Sequence, residues 1–254
     1  MISALERHSN IVQLVNSAGK VSVDALANQF NVSTVTIRND LNILSRSGLI
    51  VRFRGGATVS NNLNKELSIS QKHHQFSHTK QKLAKAVAKL IKNGESIILD
   101  SGSTTEEVAL CLHQHKQLQV MTNGLNVAAK LAENDDIEVM MTGGTLRQKS
   151  LSFFDRTAED SLANYHFDKV ILGVDGFDLE AGITTHFSPE ASLNRLMCHI
   201  SSEIIAVTDS SKFGQRGCHI IRPYHQITTL VTDCGIPDTY VNSLTKAGVK
   251  LCIV

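Results

Sequence analysis

From residue 80 onward the chain repeats one pattern. Short apolar runs alternate with longer stretches of helical periodicity. The runs are Ser96–Asp100, Gln119–Met121, Ile137–Met141, Lys169–Leu172, Ile204–Val207, Thr229–Val231 and Val249–Ile253. Apolar strands separated by helices predict a mostly parallel α/β sheet with helices on both faces. Ligands of such sheets bind at the carboxyl ends of the strands, so those ends are the first place to seek a site.

Small and polar residues gather there. The first run ends in Asp100-Ser101-Gly102-Ser103-Thr104-Thr105 and enters a helix. Hydroxyls and backbone N–H groups at a helix start suit a phosphate. The GKS/T ending of a nucleoside-triphosphate loop is missing. The following ends are Thr122-Asn123-Gly124, Thr142-Gly143-Gly144 with Arg147 beyond, Gly173-Val174-Asp175-Gly176-Phe177-Asp178 and Thr208-Asp209-Ser210-Ser211-Lys212. Five polar ends on one sheet predict a small, phosphorylated ligand. In this reading Ser101–Thr104 cradles the phosphate, Lys212 adds positive charge, and Asp100 and Asp175 accept from hydroxyls. Asn123 and Arg147 complete the candidates from the strand ends.

The front of the chain has a different design. Ile2, Leu5, Ile11, Val12, Leu14 and Val15 lie in a helical pattern that stops at Gly19. Ser22 is placed to cap a short helix carrying Leu26 and Phe30, and Ser33 to cap a third helix from Thr34 to about Ser45. That helix stops near Gly48, and Leu49–Val59 reads as two strands around Gly55-Gly56. Helices, tight turn, helix and hairpin make a winged helix-turn-helix. On a 100° wheel Ile37, Leu41 and Leu44 face the core, whereas Val35, Asn39 and Asn42 face away, flanked by Thr36 and Arg38. Asn pairs with adenine, Arg with guanine, and Val meets a thymine methyl in a major groove. Ser33 and Thr34 are expected at phosphates, and Arg52 and Arg54, on one strand face, at the backbone or minor groove.

Charge agrees with a nucleic-acid partner. Residues 1–92 hold 13 Lys+Arg against 4 Asp+Glu, and the remainder holds 12 against 20. The near-neutral total, +1, conceals a basic front on an acidic remainder. The expected domains are 1–59, a polar linker over 60–76, and 77–254. His73-His74 in the linker lack spaced Cys or carboxylate partners, so no metal site and no cofactor are expected. The five cysteines are scattered without a CxxC pair, and the N-terminus lacks the pattern of a secretory signal. No window offers about 18 consecutive apolar residues. A cytoplasmic protein away from membranes is the expectation.

VSVDALANQFNVSTVTIRNDLNILSRSGLIVRFRGGA resembles the winged helix of DeoR-type bacterial repressors, in Ser33, Thr36, Ile37, Arg38, Asp40, Leu41, Leu44, Gly48, Arg52, Gly55, Gly56 and Ala57. Asn39 stands where many members carry a second Arg. The stretches DSGSTT, TNG, TGG, GVDGFD and DSSKFG resemble the sensor domain of the same family, which is related in fold to ribose-5-phosphate isomerase. The resemblance implies a repressor of a sugar catabolic operon that binds double-stranded operator DNA and is released by a phosphorylated sugar. It places an acidic pair on Asp175 and Asp178 and a further carboxylate on Glu190. Residues 179–189 contain no Lys and one Gly, unlike the lysine and glycine run of the isomerases. The implication is sugar binding without catalysis, with no catalytic residue assigned. An isomerase-like enzyme with a DNA-tethering domain is the alternative. A homodimer or homotetramer is expected, because helix-turn-helix proteins read paired half-sites.

Overall fold

The computed structural model describes residues 4–46, 50–59, 66–73 and 75–254. The chain divides into two compact units, Met1–Lys65 and Glu66–Val254.

In the first unit α1 (Ala4–Ala18) buries Ile11, Val12 and Val15. Gly19, at φ +72°, ends it. The strand β1 (Lys20–Ser22) leads into α2 (Val23–Phe30), where the Ser22 side chain accepts from the Ala25 N–H. Asn31 closes α2 in the left-handed region at φ 51°. The third helix, α3 (Thr34–Arg46), buries Ile37, Leu41 and Leu44 as the wheel requires. A hairpin of β2 (Ile50–Phe53) and β3 (Gly56–Val59) follows, and β1 joins it in the order β1-β3-β2. Gly56 is required there, since a Cβ would lie 2.1 Å from the Val21 carbonyl oxygen. The expected winged helix-turn-helix is observed, with β1 as an added strand. Gly48 and Leu49, read as the helix stop and strand start, lie outside the described residues.

The second unit begins with α4 (Ile69–His73) and α5 (Ser77–Ala88). Then come β4 (Ser96–Leu99), α6 (Ser103–Cys111), β5 (Leu118–Thr122), α7 (Leu125–Leu131) and β6 (Ile137–Met141). A small hairpin, β7 (Thr145–Arg147) and β8 (Ser152–Phe154), precedes α8 (Arg156–Leu162) and β9 (Phe167–Gly173). The remainder is β10 (Gly176–Asp178), β11 (Gly182–Thr185), α9 (Ser188–His199), β12 (Ser201–Val207), β13 (His219–Arg222), β14 (Thr229–Thr232), α10 (Asp238–Lys246) and β15 (Lys250–Ile253).

Seven strands form the parallel sheet, in the order β15-β14-β12-β9-β4-β5-β6. They are the seven apolar runs of the sequence. Alternation along β4 explains why both faces are covered. Ile97 and Leu99 join the core under α5, α6 and α7, whereas Ile98 joins the core under α8, α9 and α10. Strand order reverses between β4 and β9, which makes a crevice at their carboxyl ends. The antiparallel trio β10-β11-β13 and the hairpin β7-β8 were not evident from periodicity.

The expected linker over 60–76 is divided by the structure. Residues 66–73 and 75–76 belong to the second unit, so the boundary falls after Lys65.

Candidate functional site

The exposed face of α3 carries Val35, Arg38, Asn39 and Asn42, with Thr36 half-buried beside them. Val35 is 62% exposed. Ser33 caps α3 by accepting from the Thr36 N–H at 3.1 Å, and its hydroxyl also bonds Thr36 Oγ1 at 2.9 Å. Thr34 opens the helix, half-buried. Arg52, on β2, donates to Asn42 Oδ1 and so ties the wing to α3. Arg54 departs from the expectation that it shares a strand face with Arg52. It sits with Gly55 in the two-residue turn, because Gly55 at φ +97° reverses the chain there. Arg54 is exposed at the tip of the wing.

Asp40 is a position of the family motif to which the sequence assigns no role. It is buried, and its carboxylate accepts from Arg7 at 2.7 and 3.1 Å and contacts His8 at 2.8 Å. Burial alone would raise its pKa. The hydrogen bonds from Arg7 and His8 more than offset that and hold it below the usual carboxylate range. Asp40 therefore clamps α1 to the helix that presents the exposed face.

In the second unit a cleft of about 840 Å³, open mouth included, lies at the β4/β9 crevice. Eight of the predicted residues line it: Asp100, Ser101, Gly102, Ser103, Thr104, Asp175, Glu190 and Lys212. Gly102, at φ +148°, precedes α6, which starts at Ser103 without a side-chain cap. Its first-turn N–H groups are thus available as anion donors.

Two predicted residues stand behind the lining. Asn123 is fully buried and accepts from the Ser101 N–H at 2.9 Å, so it shapes the loop. Arg147 pairs with Glu66 and, at 3.3 Å, with Glu190, and stacks over the Phe187 ring. Asp178 is removed from the cleft residues. It accepts from the Glu180 and Ala181 N–H groups and pairs with Arg216 at 2.7 Å, as a turn residue does.

The structure adds residues that sequence reasoning missed. Lys72, from α4, donates to Asp175 Oδ1 at 2.6 Å. Burial opposes both charges. The pair nevertheless raises the Lys72 pKa and holds Asp175 down at about 2, with help from Lys212. Lys80 is buried and bonds the Lys72 carbonyl, and its desolvation lowers it to about 8. Burial and the nearby Glu190 charge push Asp100 well above the carboxylate range, which favours its neutral acid form. Asn194 donates to Asp100 Oδ2 at 3.4 Å, while its Oδ1 is buried with no partner. A signal for Asn194 was present: it lies four residues after Glu190, on the same face of α9. Lys72 and Glu66 gave none, because their segment is polar and aperiodic. His73 pairs with Glu106 at 3.0 Å, and no cluster of metal ligands occurs among the described residues. His74 lies outside them.

The cleft can therefore hold an anion at one side and hydroxyl groups at the other, and α3 can meet a groove. Residues 7–62 match the DeoR-like helix-turn-helix domain, and residues 75–234 match the DeoR C terminal sensor domain. The chain belongs to the DeoR family. Its first unit is the family's helix-turn-helix domain and its second the sensor domain. A protein of Escherichia coli O157:H7 named "Putative aga operon transcriptional repressor" is 45% identical, over 98% of this chain and 93% of that protein. The glycerol-3-phosphate regulon repressor of Escherichia coli K12 is 31% identical over 97% of each chain. Among solved structures, a D-ribose-5-phosphate isomerase in complex with phospho-erythronic acid is 16% identical, with a TM-score of 0.41 over 55% of each chain. The full-length sorbitol operon regulator of Klebsiella pneumoniae is 11% identical, with a TM-score of 0.38 over 96% of this chain and 100% of that one. Glu66 and Lys72 fall between the two DeoR domain matches. No helix among the described residues is long and apolar enough to cross a membrane.

Proposed function

We propose that this DeoR-family chain represses a sugar catabolic operon and leaves its operator when a phosphorylated sugar enters the sensor cleft. The observation that carries the reading is the uncapped start of α6 at Ser103, set in one cleft with Lys212, Asp100, Asp175 and Glu190. Phosphate binds the helix start and the lysine. Sugar hydroxyls donate to the Asp175 and Glu190 carboxylates, to the carbonyl oxygen of the neutral Asp100 carboxyl group and to Asn194 Oδ1. On the DNA side, Asn39, Arg38 and Val35 read bases, whereas Ser33, Thr34, Thr36, Arg52 and Arg54 hold the backbone.

The finer reading is an amino-sugar phosphate. STVTIRNDL, ILDSGSTT, MTNGLNVA and YHFDKVILGVDGFDLEAGITTH resemble the repressor of N-acetylgalactosamine and galactosamine catabolism. Binding proceeds without turnover, and the protein acts as a homodimer or homotetramer on paired half-sites in the cytoplasm.

A thermal-shift screen of sugar phosphates tests the reading. A ligand at 100 times its dissociation constant stabilises by about 2.7 kcal/mol. Stabilisation by an amino-sugar phosphate but not by its free sugar is expected. An NMR time course tests turnover; product that tracks protein concentration and disappears on Asp175→Ala would make this an enzyme.

A further inference from the structure

We propose that Lys72 is the residue through which the cleft reports occupancy, by giving up Asp175 to a hydroxyl of the bound ligand. The inference rests on the phosphorylated-sugar reading of the cleft.

The helix that carries Lys72 is five residues long. A helix this short does not stand on its own hydrogen bonds. What holds it is a set of contacts to the cleft walls. Ile69 is buried, and its N–H donates to the Lys149 carbonyl at 2.8 Å. Lys72 donates to Asp175, and Lys80 to the Lys72 carbonyl. His73 pairs with Glu106, one turn into α6 from the proposed phosphate site. Glu66 pairs with Arg147, which in turn reaches Glu190. Most of these anchors are therefore residues that line the proposed ligand site or touch one that does.

Both oxygens of the Asp175 carboxylate are already engaged. Its Oδ1 accepts from Lys72, and its Oδ2 accepts from Thr185 Oγ1 at 3.3 Å. A ligand hydroxyl aimed at this carboxylate competes for the oxygen that Lys72 uses. Once the ammonium leaves Asp175, α4 loses a long-range anchor. The residues freed are the first of the sensor unit, directly after the boundary at Lys65. This supplies the two-state element that coupling between sites requires, biased by differential binding.

Hydrogen exchange on the full-length wild-type protein tests the displacement, using the sugar phosphate that stabilises most in the screen. Exchange is expected to quicken across 66–73, where the Lys72 N–H now bonds the Ser68 carbonyl at 2.9 Å, and to slow across 101–106. Slower or unchanged exchange at 66–73, with protection at 101–106, would overturn the role of Lys72 and leave the cleft reading standing. No change at either place, with every sugar phosphate tried, would remove both. A second arm compares operator affinity with and without that ligand. The wild type should lose tenfold or more, Lys72→Met less than twofold with the ligand still bound, and Lys72→Arg should restore part of the response. An unaltered tenfold loss in Lys72→Met would contradict the proposal.

Discussion

The two units of this chain carry function in opposite ways. The first displays it on one face of a single helix, α3, so neighbours in sequence act together. The second assembles it from residues as far apart as Lys72 and Lys212, joined only because β4 and β9 meet where strand order reverses. A surface motif tolerates change at individual side chains provided its scaffold stands. A converged cleft makes each side chain depend on several others.

The largest effect should come from the scaffold of the first unit. Asp40→Ala leaves Arg7 buried without its carboxylate partner. Removing one member of a buried ion pair costs about 3–5 kcal/mol. Denaturation monitored in both units should show the first unfolding early, with operator binding lost and the transition of the second unmoved. Coincident loss in both would show that the two units do not unfold independently. The same residue gives a pH dependence. Its folded pKa is lowered, so its contribution is complete above the unfolded carboxylate value of about 3.9 and is lost as pH falls below that. Asp40→Asn should flatten the acid limb of stability in the first unit.

How much could be read beforehand follows the same division. Every strand of the parallel sheet was legible, because the central strands, buried on both faces, leave apolar runs such as Ile97-Ile98-Leu99, and the edge strands keep shorter ones. The trio β10-β11-β13 was not, since three or four residues such as Gly176-Phe177-Asp178 carry no period. Within the cleft, residues at strand ends were legible from topology. Lys72 was not: its place is set by a partner 103 positions away. In the first unit the wheel identified the exposed face of α3 correctly. It could not foresee that Arg54 falls in the turn, a matter of Gly55 conformation, or that Asp40 looks inward to Arg7.

Smaller effects sharpen the contrast. Asn39→Ala should lose about 1–3 kcal/mol of discrimination at one base position while binding persists. Competition against single-base operator variants measures it, and an unchanged preference removes Asn39 from the reading face. In the cleft, Thr104→Ala and Lys212→Ala should each abolish a tenfold ligand response, about 1.4 kcal/mol of coupling, and retain operator affinity. Ligand-driven release that matches wild type in both variants would place the anion elsewhere. Arg52→Ala and Arg54→Ala should weaken all sequences alike and lower the slope of log affinity against log salt by about 1 each. A slope that does not change would show that neither guanidinium meets a phosphate.

The most direct test of the whole account is a titration of sugar phosphates, each beside its unphosphorylated sugar, into the preformed complex of the full-length protein with operator DNA. At least one sugar phosphate, an amino-sugar phosphate foremost, should raise the operator dissociation constant tenfold or more while its free sugar does nothing. Release by free sugars as readily as by their phosphates, or by none of the compounds, would contradict it.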